Sequence, residues 1–113
     1  MESYNPGVYS PPKDCKVVYI TDLPNNNFMN KLIGKDGKHF IEITQNFNCK
    51  YIWHDIEKNN IEIYGDNNND INNAKMRIQK RLYNILRFDN NNKTKEQLEW
   101  MDNFRFNVIC AFK

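Results

Sequence analysis

The sequence predicts an α+β fold, one sheet with helices packed on it, and three observations carry that prediction. Short runs rich in β-branched and aromatic residues are interspersed with segments whose apolar residues recur every three or four positions. Two of the short runs are separated by a brief polar connection, the mark of an antiparallel hairpin. At 113 residues the chain has room for one domain with a modest core and short extensions, so all the elements share that core.

Met1 to Lys13 carries Pro6, Gly7, Pro11 and Pro12 without periodicity, and residues 1–13 read as a flexible tail. Lys16 to Ile20 is the first strand, ended by Asp22 and Pro24. Asn27 to Ile33 forms a short helix that stops at Gly34. From Lys38 onward Phe40, Ile43 and Phe47 recur at helical spacing, with Thr44 on the same stripe. Asn48, tolerant of left-handed backbone, ends that helix. Cys49 to His54 and Ile61 to Tyr64 are the hairpin strands, joined by Asp55 to Asn60. A long helix follows, with Ile71, Ala74, Ile78, Leu82 and Ile85 on one stripe. Its Lys75, Arg77, Lys80 and Arg81 lie elsewhere around the axis, where charges usually form the solvated side. Thr94 with Gln97 resembles a capping box opening a short helix through Leu98 and Met101. Phe104 to Phe112 alternates and predicts a strand. The asparagine runs at 25–27, 67–69 and 90–92 read as loops. The domain proper is 14–88, with 89–113 as a C-terminal helix and strand extension.

The formal charge is only +2, so an anionic macromolecule would have to meet locally concentrated charge. Cys15, Cys49 and Cys110 are odd in number and widely spaced, which fits neither a disulfide framework nor a metal pair. No leader-like or membrane-spanning run appears, and the chain reads as soluble and intracellular. Paired carboxylates, a Cys/His pair and a Ser-centred motif are all missing from any context that would assemble them, so the sequence predicts no enzyme, no metal and no cofactor.

The most informative stretch is Ile33-Gly34-Lys35-Asp36-Gly37-Lys38-His39-Phe40. Two glycines bracket a tight turn between helices and let another chain approach the backbone closely. The helix beginning near Lys38 points its positive end at the turn, and Lys35 and Lys38 add full charges. Together these make a phosphate-sized site.

This segment resembles the type I KH family. An aliphatic pair, G-x-x-G, two residues and a large apolar residue, then a helix running to a strand, is met from Leu32-Ile33-Gly34 through Phe40 and Ile43 to Asn48-Cys49-Lys50. The resemblance covers about Cys15 to Arg87. It implies a three-stranded antiparallel sheet on three helices, and binding of single-stranded RNA, with single-stranded DNA as the other candidate. In that family the loop clamps the backbone of about four nucleotides and an adjacent apolar groove takes the bases. Carried over by position, the site comprises Met29, Ile33, Gly34, Lys35, Asp36, Gly37, Lys38 and Phe40 on the loop side. Tyr51, Trp53 and Asn60 would supply the strand side. This chain departs from the family pattern at Asp36, where Gly, Lys or Arg is usual, and in the bulk of Phe40, Tyr51 and Trp53. Those departures favour the alternative use of the same fold, a protein–protein contact or dimerisation module. A homodimer through the first strand or through the C-terminal segment is a further expectation, because an aromatic strand needs covering.

Overall fold

The computed structural model describes residues 9–24, 28–88 and 93–111, with side chains described as far as Asn107. Expectations for 1–8, 25–27, 89–92 and 112–113 lie outside the described residues. Strand β1 is Lys16–Ile20, helix α1 Met29–Ile33, and a single 3-10 turn at Lys35–Gly37 leads into α2, Lys38–Asn46. Strands β2, Tyr51–Asp55, and β3, Asn60–Gly65, precede the long α3, Asn68–Arg87, and then α4, Lys95–Ala111. No helix among the described residues is long and apolar enough to cross a membrane.

The strands form one antiparallel sheet in the order β1-β3-β2. The register sets Ile20 opposite Ile61 and Ile52 opposite Ile63. These four isoleucines face the helices and are buried with Leu32, Phe40, Ile43, Ile71, Ala74, Ile78, Leu82 and Leu86. The stripe of α3 ends on Leu86, one turn past Leu82, and Ile85 is half-buried beside it, packed against the core.

Local signals hold where they were readable. Asn48 takes the left-handed conformation, φ 55°, and the Cys49 N–H returns to the Thr44 carbonyl at 2.9 Å. Asn67 caps α3, its side chain accepting from the Asn69 and Asp70 N–H groups. Thr94 and Gln97 make the reciprocal capping box, at 3.0 and 3.1 Å.

The C-terminal segment differs from expectation. Phe104 to Ala111 continues α4 instead of forming a strand. With its N-terminus capped and no Gly or Pro from Lys95 to Ala111, the helix has no reason to stop. Gln97, Trp100, Met101 and Phe104, at helical spacing, include the residues that dock on α3: Trp100 stacks on Phe104, and Phe104 packs against Tyr83. Among the described residues β1 therefore gains no partner from this segment, and a dimer built on a C-terminal strand loses its basis.

Candidate nucleic-acid interface

The loop Gly34 to Gly37 is built from backbone conformations that few residues adopt. Gly34 ends α1 at φ 84°, ψ 165°, a region open essentially to glycine alone. Asp36 and Gly37 are left-handed, at φ 56° and 76°. The Gly34 N–H closes on the Asn30 carbonyl at 3.0 Å and the Gly37 N–H on the Gly34 carbonyl at 3.1 Å. A Cβ on Gly34 would lie 2.4 Å from the His39 ring, so space as well as torsion requires glycine there. Asp36 tolerates its left-handed torsion because an aspartate side chain can bond locally.

Lys35, Asp36 and Lys38 are exposed at the tip, and neither lysine is ion-paired among the described residues. No side chain caps α2 and no acid sits in its first turn, while Asp36, just before the cap, is an acid at the positive end of the helix. Ile41 and Glu42, one turn along α2, join Lys35, Asp36 and Lys38 around a shallow depression. Their membership follows from helical spacing after Lys38, a signal the motif itself does not carry. His39 is held below the ordinary histidine range, first by burial and then by the positive charge of Arg81. It is therefore neutral at pH 7 and adds hydrogen bonding rather than charge.

Other positions behave differently. Phe40 is 0% exposed and Met29 5%, so both are core beneath the loop and not contact surface. Ile33 is half-buried at the end of α1, packed on the core. Tyr51 and Trp53 share a face, as alternation requires, but it is the face turned away from the helices. Ile52 and His54 point inward instead. The structure thus does not bring Tyr51 and Trp53 to the loop. They stack on each other at 6.1 Å and contact Tyr9, with Tyr9 and Trp53 centroids 5.1 Å apart. Asn60, opposite Asp55 at the hairpin end, falls by alternation on that same outer face, half-buried.

The outer face carries a cluster that sequence reading missed. The Tyr9 and Tyr64 hydroxyls donate to the same Glu62 oxygen, at 2.5 and 2.7 Å, and the Ser10 N–H donates to the Tyr51 hydroxyl. Residues from Tyr9 onward therefore lie across the sheet rather than forming a free tail. Burial, together with the bonds to Tyr9 and Glu62, pushes the Tyr64 hydroxyl far above its usual range. The half-buried Cys49 thiol is raised to about 11 by burial and Asp70, which makes it an unreactive packing group at neutral pH.

Neither a curated protein nor a solved structure matches the chain. The family model for the KH domain matches residues 18–80, more than half of the sequence. That segment holds β1 through most of α3, with the G-x-x-G turn between α1 and α2 and the three strands in the order β1-β3-β2. By this match and this topology the chain belongs to the KH domain family, in its type I form.

Proposed function

We infer that this protein binds single-stranded RNA by gripping the phosphate backbone with Gly34-Lys35-Asp36-Gly37. KH domains are single-stranded nucleic-acid-binding modules rather than enzymes. The observation that carries the finer reading is the pair of exposed, unpaired lysines flanking a glycine turn at the uncapped end of α2. Lys35 and Lys38 supply charge, Gly34 and Gly37 supply close approach, and Ile33 with Ile41 borders the path of the bases. Phe40 and Met29 act from beneath, as the floor that fixes the loop. Tyr51 and Trp53 have no part in the grip.

A second reading, a protein-contact module, is favoured by the packing behind the loop. Phe40 and Ile52 are both fully buried, which leaves little depth for bases on the helix side of β2. Titrating a randomised pool of single-stranded RNA and DNA against the parent and Lys35→Asp separates the two. The substitution makes the loop doubly acidic and is expected to cost about 1–3 kcal/mol of binding while the thermal midpoint holds. Equal binding by parent and variant defeats the clamp and leaves the protein-contact reading.

A further inference from the structure

A cavity lined by Lys31, Arg77, Arg81, Asn84, Ile85 and Phe88 lies between the end of α1 and α3, outside the G-x-x-G turn. Arg77, Arg81, Asn84 and Phe88 sit at i, i+4, i+7 and i+11 of α3 and its C-terminal cap, one face about 16 Å long. Arg81 ties this face to the loop: its guanidinium donates to the Lys31 and Leu32 carbonyls, at 2.9 and 3.4 Å, just before Gly34. Its charge is felt by His39, whose ring packs against Gly34. Arg81 is held below its usual range first by burial and then by the positive charge of Arg77, with Glu42 acting in the opposite sense. Among the described residues no carboxylate pairs with Lys31, Arg77 or Arg81. Beyond them the Phe88 ring is 72% exposed, with the Arg87 guanidinium 5.4 Å from its centroid.

Cations gathered around one cavity without an ion-paired carboxylate raise the energy of the free protein, and an anion relieves it. Guanidinium forks suit phosphate oxygens, and an open aromatic ring beside them suits a nucleobase. We propose that this cavity is a second nucleotide subsite, which takes a phosphate on Lys31, Arg77 and Arg81 and stacks a base on Phe88. It receives the strand as it leaves the clamp, and so rests on the clamp reading for the strand's path.

The test compares two single-stranded RNA oligomers, one of about four nucleotides that fills the clamp alone and one of about ten that spans both sites. Arg77→Glu is expected to weaken the longer oligomer roughly tenfold and to leave the shorter one unchanged. Phe88→Ala should weaken only the longer oligomer, by roughly fivefold or more, the cost of one lost stack. Lys95→Glu, the same charge change on α4, should alter neither. Should Arg77→Glu affect both oligomers alike, or neither, the subsite is overturned; should Lys35→Asp affect neither oligomer while Arg77→Glu still weakens the longer, the clamp fails and the α3 site stands. Absence of binding by both oligomers overturns both readings. Arg77 is exposed and makes no ion pair among the described residues, and Arg77→Gln, with a smaller loss of the same pattern, guards against a folding artefact.

Discussion

The two faces of this domain spend their polar groups in opposite ways. At the G-x-x-G turn the lysines stand exposed without an ion pair among the described residues, and the helix end behind them has no side-chain cap. On the outer face of the sheet, Tyr9, Glu62 and Tyr64 satisfy one another, with Glu62 only 5% exposed. Groups already bonded to each other add to stability and offer a ligand little, because binding would first have to break those bonds. Groups left unpaired add little to stability and are free to meet a ligand. The aromatic richness of the chain therefore does not mark its binding surface.

The contrast is broken most forcefully at Gly34, where stability and recognition meet. Gly34→Ala combines a torsion reserved for glycine with a contact of 2.4 Å to the His39 ring. It should destabilise the domain by about 2–4 kcal/mol in urea unfolding. Adding His39→Ala removes the clash and should recover only part of that loss, because the torsion at φ 84° remains. Full recovery would mean that crowding alone selects glycine, and no recovery that torsion alone does.

A smaller effect sharpens the other side. Tyr64→Phe removes one donor to the buried Glu62 and should cost about 1–2 kcal/mol in thermal or urea unfolding, with RNA affinity unchanged. Tyr9→Phe should cost less, since Tyr9 is about half exposed. If either change weakened RNA binding without loss of stability, the outer face would have to be counted as a recognition surface.

How much of this was legible depends on how local each signal is. The Gly34–Gly37 turn, the left-handed Asn48 and the Thr94–Gln97 capping box each depend on residues within a few positions, and the sequence carries them in full. Alternation shows that Tyr51 and Trp53 share a face but not which face. That choice belongs to β3, whose Ile61 and Ile63 bring Ile52 and His54 inward with them. Aromatic weight pointed the other way, since Tyr51 and Trp53 look more like core than His54 does. The Tyr9–Glu62 bond spans 53 positions and has no periodicity to announce it. For Phe104 to Phe112 the sequence held two competing patterns, strand alternation and a continued helix from a capped start, and packing against Tyr83 and Trp100 goes with the helix.

The smallest effect separates the loop from the sheet by pH. His39, beside the loop, and His54, in β2, are both held below the ordinary value near 6.5, with burial the leading cause in each. As pH falls below that value the unfolded chain takes up protons that the folded chain does not, so stability declines with acidification. The decline ends once pH passes below the folded values. His54, 6% exposed, should give the steeper part, at most about 1.4 kcal/mol per pH unit, and His54→Gln should flatten the profile more than His39→Gln. Ligand then distinguishes the two rings. A phosphate on the loop favours the charged imidazole, so saturating RNA should raise the titration of His39 in proton NMR while His54 stays where it was. A shift at His54 with none at His39 would place the bound strand against the sheet instead of the glycine turn.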